Sequence, residues 1–181
     1  MQSVDTPTNE RCFLCENKKI RNHCEVCDKP LCSRCVESID DDVFFYAPNK
    51  TEFLSEHHFC PMCFDEKAAP VIAKYDELLA RAKQVIYLPK TYRTFVPVLK
   101  AAKQTVSVEG CEGKDEAILK LGFLAAMQEF NAIVKAELVC TKTRNHGYQK
   151  SIWSGVALPA QISQERLELE EYREEVYRRG Y

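Results

Sequence analysis

Eight of the ten cysteines fall into four Cys-x-x-Cys pairs: Cys12/Cys15, Cys24/Cys27, Cys32/Cys35 and Cys60/Cys63. Two thiolates three positions apart on a tight turn can both reach one tetrahedral Zn²⁺ at about 2.3 Å. Four pairs supply eight ligands, enough for two closed four-cysteine sites. One such pair could be a redox motif, and small secreted chains use cysteines as disulfides, but four pairs in the first third of the chain favour metal. The first ten residues are polar and carry no basic-then-apolar leader pattern. The expectation is a cytoplasmic protein with reduced thiols and two Zn²⁺ per chain. A closed site leaves no open coordination position, so this metal would brace a fold rather than catalyse.

The gaps between successive pairs are eight, four and twenty-four residues. The short middle gap favours interleaved ligands. Cys12, Cys15, Cys32 and Cys35 then hold one zinc, and Cys24, Cys27, Cys60 and Cys63 hold the other. Interleaving makes each metal close a long loop, which helps a small module to fold. Sequential pairing, first with second and third with fourth, remains open on spacing alone.

The rest of the chain divides by pattern into an α+β arrangement. Residues 1–10 read as a flexible arm, 11–68 as the double-zinc finger and 69–84 as a connecting helix. Residues 85–160 read as a small β-α-β-β domain and 161–181 as a C-terminal helix. Within the finger, Asp40, Asp41 and Asp42 open a long insert whose aromatics Phe44, Phe45 and Tyr46 should pack on it. After Pro70, the residues Val71, Tyr75, Leu78, Ala82 and Val85 recur at helical spacing, predicting a helix from Val71 to about Lys83. Pro89 and Pro97 make the next segment extended or looped.

Thr105–Gly110 alternates as a strand, and Lys114–Phe130 is helical and apolar nearly all round, so it should be covered on more than one side. Ala132–Thr141 alternates again, with Val134, Ala136, Leu138 and Cys140 expected on one apolar face. Asn145-His146-Gly147 is turn chemistry before a second strand, Tyr148–Leu158. By this phasing Cys140 is a buried thiol, whereas Cys111 falls with the outward Ser107 and Glu109. Ser163 can cap the last helix, Gln164 to Arg179, which places glutamates early and arginines late.

Residues 1–69 carry a net charge of −5, residues 70–155 of +5 and residues 156–181 of −2. The finger is therefore acidic, and four thiolates around each zinc make it more so. It does not suit a general polyanion ligand. Lys142, Arg144 and Lys150 near Tyr148 and Trp153 could contact single-stranded nucleic acid, but strand hairpins often look this way. No phosphate loop, His-Glu-x-x-His motif or nucleophile elbow is present, and the expectation is no enzymatic activity.

At residues 10–68 the chain resembles the FYVE/PHD/RING group of cross-braced, treble-clef zinc fingers. Arg21-Asn22-His23-Cys24, Leu31-Cys32-Ser33-Arg34-Cys35 and Cys60-Pro61-Met62-Cys63-Phe64 make FYVE the closest likeness. That resemblance implies a two-zinc finger and, for the family, binding of phosphatidylinositol 3-phosphate through a basic Arg-Arg-His-His-Cys-Arg motif. Here Asn22 replaces the first histidine, Glu25 replaces the arginine after the cysteine, and no Trp-x-x-Asp precedes Cys12. A carboxylate there repels phosphate. RING and PHD fingers share the Cys-Pro-x-Cys or the four-residue gap but usually carry a histidine ligand.

From about 85 to 160 the chain resembles the YbjQ-type family of heavy-metal-binding proteins, on Glu129-Phe130-Asn131-Ala132-Ile133-Val134, Gly147-Tyr148 and Ser154-Gly155-Val156-Ala157. That resemblance implies ring assembly, which would cover the all-round apolar helix. The combined expectation is a zinc-binding, non-enzymatic interaction or adaptor protein that forms a homo-oligomer and takes a protein partner. A membrane-recruited phosphoinositide binder is the alternative. A metal or redox sensor using Cys111 or Cys140 is a further one.

Overall fold

The computed structural model describes residues 11–40, 42–49, 53–145 and 148–178. The chain divides into two compact units, one of residues 1–45 and 49–75, the other of residues 46–48 and 76–181.

The first unit is built on two short antiparallel pairs. β1 (Ile20–His23) pairs with β2 (Pro30–Cys32), and β3 (Glu37–Ser38) pairs with β4 (His58–Phe59). The chain then turns helical at α1 (Pro61–Cys63), passes through one π-helical turn at Phe64–Ala68 and continues as α2 (Ala69–Gln84). The helix thus starts earlier than the apolar spacing from Val71 predicts. Pro70 does not stop it: the preceding N–H, of Ala69, reaches back to the Phe64 carbonyl in the wider π turn. In the insert, the expected packing of aromatics holds for Phe44, which is buried, stacks on Phe53 at 5.5 Å and meets Tyr75 edge-on at 5.1 Å. Phe45 is exposed. Asp41 lies outside the described residues.

The second unit is a five-stranded sheet. β5 (Ile86–Pro89) runs parallel to β8 (Ala132–Asn145), which pairs antiparallel with β9 (Tyr148–Ile162). The other side of β9 takes two short strands in succession, β6 (Val98–Ala101) against its end and β7 (Val106–Cys111) against its middle. β5 and β6 occupy the segment that the prolines alone suggest is extended or looped. Pro89 and Pro97 are tolerated because one ends an outer strand and the other precedes one.

α3 (Lys114–Met127) covers one sheet face, packing Leu121 and Ala125 on Ile133, Ala136 and Ala157. It stops three residues short of Phe130. Glu129 enters the left-handed region at φ 62°, and the Phe130 N–H returns to the Ala125 carbonyl. Gly122 lets α2 approach, since a Cβ there would sit 3.0 Å from the Ala82 carbonyl oxygen. α3 is thereby enclosed by the sheet and by a helix. The opposite sheet face buries Leu88, Ala132, Val134, Ala160 and Ile162 with Leu167 of α4 (Gln164–Arg178). Tyr92 donates its hydroxyl to Glu171 at 2.6 Å, and Thr94 donates to Glu174 at 2.8 Å, so the β5–β6 connection is tied to α4.

Two bulges correct the phasing read from alternation. Between Val134↔Leu158 and Glu137↔Val156, β8 has one residue more than β9, with Lys135 at φ 52°. Val134 therefore faces α4, whereas Ala136 and Leu138 face α3. Cys140 keeps the phase of Leu138 but lies outside the cluster under α3, and it is exposed rather than buried. A second shift between Val108 and Cys111, at Gly110 with φ 71°, returns Cys111 to the inner side, where it is buried. Burial pushes its thiol above the usual range. The two thiols flank Trp153, each in register with it from a different strand. The expected turn residues His146 and Gly147 lie outside the described residues.

A Cβ on Gly155 would fall 2.6 Å from Leu138 Cδ2 and 3.0 Å from Leu121 Cδ1, where sheet and α3 meet. Gly155→Val should destabilise this unit by about 1–3 kcal/mol through overpacking. Urea denaturation should show a lowered midpoint, and an unchanged midpoint would mean that the interface has slack.

Candidate metal centres

The first two cysteine pairs sit on turns of the same construction. In one, the Cys12 N–H bonds to the Asn17 carbonyl at 2.8 Å and the Glu16 N–H to the Cys12 carbonyl at 2.8 Å. In the other, Cys24 bonds to Lys29 at 3.0 Å and Asp28 to Cys24 at 2.7 Å in the corresponding positions. Glu16 and Asp28 each take φ 56°, which lets the chain fold back directly after the second cysteine. The third and fourth pairs lie instead on helical turns. Cys35 and Val36 donate to the Cys32 carbonyl, and Cys60 opens α1, with Cys63 N–H directed at its sulfur at 3.5 Å.

The strands bring a turn of the first kind to one of the second. β1 leads into Cys24, and β2 carries the chain from that turn to Cys32. β4, held by β3, delivers Cys60. The sulfurs of Cys12, Cys15, Cys32 and Cys35 lie within 4.8 Å of one another, as do those of Cys24, Cys27, Cys60 and Cys63. The structure thus joins the first pair with the third and the second with the fourth, the interleaved order that the gaps favour.

Both groups suit zinc. A tetrahedron with Zn–S bonds of about 2.3 Å has sulfur–sulfur edges of about 3.8 Å. The Cys15–Cys32 edge is 3.5 Å and the Cys27–Cys60 edge 3.9 Å. The electrostatics point the same way. Burial raises the Cys12 thiol, but the backbone N–H groups of Cys32, Cys15 and Leu14 outweigh it and bring the pKa to about 6. Cys24 is likewise raised by burial and brought to about 6 by the N–H groups of Cys60, Cys27 and Val26. The other end of each group behaves oppositely. Hydrogen bonding with Cys15, then burial, pushes Cys35 up to about 12, and burial with Cys60, Cys27 and Cys24 does the same to Cys63. Each group holds a ready thiolate and a thiol that its neighbours keep protonated. Only a cation at the centre makes four thiolates stable together. Two four-cysteine groups, each able to hold one ion, fit two Zn²⁺ per chain.

Glu25 has a role that its sequence position does not advertise. Its carboxylate accepts from the His57 N–H at 2.9 Å and from His58 Nδ1 at 2.8 Å. It thereby ties the Cys24–Cys27 turn to β4, just before Cys60. The His58 hydrogen bond, then that of His57, lowers the Glu25 pKa. No spacing rule finds this contact, because the partners are 32 and 33 residues apart. Neither histidine belongs to a four-sulfur group. Lys150, one of the basic hairpin residues, is paired with Glu112 at 2.7 Å.

Comparison with protein-family models, with curated proteins and with solved structures finds no match to this chain. The two metal-binding clusters are consistent with a zinc finger, and the finer family likenesses rest on the motifs alone.

Cys12→Ser combined with Cys32→Ser removes two ligands of one group, so native mass spectrometry should still find one zinc; sequential pairing would leave none. The Glu25 contacts are strongest while the carboxylate is ionised. A depressed folded-state pKa means stability that is present above the unfolded value and lost as pH falls through the folded one. Glu25→Gln should therefore flatten the acid side of the first unit's melting profile, by less than about 1 kcal/mol for so exposed a pair. An acid limb identical to the wild type would remove this role for Glu25.

Proposed function

We propose that the chain is a cytoplasmic, non-enzymatic interaction protein, a FYVE-like cross-braced zinc finger followed by a YbjQ-like domain that assembles copies of the chain. What carries the reading is that all ligands of both metal groups are cysteines, four to each. Such a centre has its coordination filled by protein and holds a surface rather than activating a substrate. The surface held is unusual. Phe13 and Leu14, between the ligands Cys12 and Cys15, are 48% and 44% exposed. A metal-fixed turn presenting adjacent apolar side chains suits docking to a protein partner, because little entropy is lost on binding.

Assembly is supported by the sheet unit. β6 is an outer strand, and beside it Phe95 is 68% exposed and Leu99 63%. Outer strands with apolar side chains invite pairing with another chain. Leu99→Asp should convert an oligomer to a monomer in native mass spectrometry, while Cys24→Ser, which breaks the finger, should leave the oligomer intact. A monomeric wild type would overturn the assembly reading.

Recruitment to an anionic membrane is the second reading, favoured by Lys29, whose ammonium sits 3.8 Å from the Phe13 ring centroid, and by the nearby Lys18 and Lys19. Flotation with vesicles containing phosphatidylinositol 3-phosphate tests it; protein that stays in the load fraction rejects it.

A further inference from the structure

The two metal groups differ in how the protein shields them. Cys24 and Cys60 belong to a buried cluster with Leu31, and Cys27 and Cys63 pack against that cluster, so all four ligands of one group share apolar cover. Of the other group only Cys35 joins that cluster. Cys12 and Cys32 are buried, but Cys15 is exposed. Cys27, its counterpart in the other group, is also reached by solvent, but the Leu31 cluster backs it. Cys15 follows Phe13 and Leu14 on the surface turn, and its sulfur lies 3.5 Å from Cys32 Sγ.

We propose that Cys15 is an oxidative modification site through which hydrogen peroxide discharges the Cys12/Cys15/Cys32/Cys35 centre while leaving the other centre loaded. The Cys15 thiolate attacks the peroxide; an S–O bond forms, the O–O bond breaks, and hydroxide leaves. Cys32, the close neighbour, then attacks the Cys15 sulfur as a thiolate; an S–S bond forms, the S–O bond breaks, and the second oxygen leaves as hydroxide. Two thiolates lose two electrons in all, and one peroxide is reduced to two hydroxides. The group keeps two of its four donors, too few to hold the ion. A dithiol reductant reverses the disulfide and restores the site. The exposed Cys140 is a built-in comparison, since it belongs to neither group and its oxidation frees no metal.

This inference rests on the zinc reading, so the zinc content of the full chain is measured first; two zincs per chain establish that reading whether or not oxidation is selective. Hydrogen peroxide is then added in small excess, with a chromogenic chelator reporting free zinc and native mass spectrometry reporting the loaded species. One zinc should leave at least about tenfold faster than the second, and peptide mapping of the one-zinc species should find Cys15 oxidised or joined to Cys32. Dithiothreitol with added zinc should return the two-zinc species. Cys15→His, which keeps a metal donor without an oxidisable sulfur, should abolish the fast phase, and Cys27→His should preserve it. Should Cys15→His fail to hold two zincs, the mapping of wild-type protein decides alone. Simultaneous loss of both zincs, a first loss mapped to Cys24, Cys27, Cys60 or Cys63, or oxidation confined to Cys140 would each overturn the proposal.

Discussion

The structure of the first unit depends on the attraction between metal cation and thiolate. The buried apolar cluster beside the metal groups contains Cys24, Leu31 and Cys60, and two of those three are themselves ligands. Burying a side chain of this size contributes about 1.5–3 kcal/mol. Structural zinc contributes about 10–16 kcal/mol in small zinc-finger peptides. Each metal therefore outweighs any single buried side chain, and every strand of two to four residues contains a ligand cysteine or lies within two residues of one.

The same dependence explains details that look costly in isolation. Glu16 and Asp28 occupy a left-handed backbone region that glycine enters more cheaply. Eight sulfurs crowd into two small volumes, and in each group one thiol is pushed to about 12. Both costs are offset once a dication sits among the sulfurs. The sheet unit has no such centre among its described residues and uses ordinary means: α3 and α4 cover opposite faces of one sheet, and bulges re-aim the strands.

The metal groups are legible in the sequence because the chemistry is local: a Cys-x-x-Cys pair needs only its own turn, and the gap lengths carry the pairing. The β7, α3, β8 and β9 order is legible for a similar reason, since each element has its own period. The departures share a cause. Alternation predicts a face only while one residue opposes one: the extra residue near Lys135 sends Val134 to the opposite face from Ala136 and Leu138, and the one near Gly110 turns Cys111 inward, while Cys140 keeps the phase of Leu138 but lies beyond the cover of α3. β5 and β6 have no clear signal because their partners lie far along the chain and prolines flank them. The Glu25 contacts to His57 and His58 have no sequence signature at all.

Sulfur coordination is the claim on which everything else in the first unit stands. Zinc K-edge X-ray absorption on the purified chain, combined with metal analysis, reads it directly. The account predicts two zincs per chain, each surrounded by four sulfurs at about 2.3 Å with no nitrogen or oxygen shell. A single zinc per chain, or a nitrogen or oxygen donor in the average coordination, would contradict it.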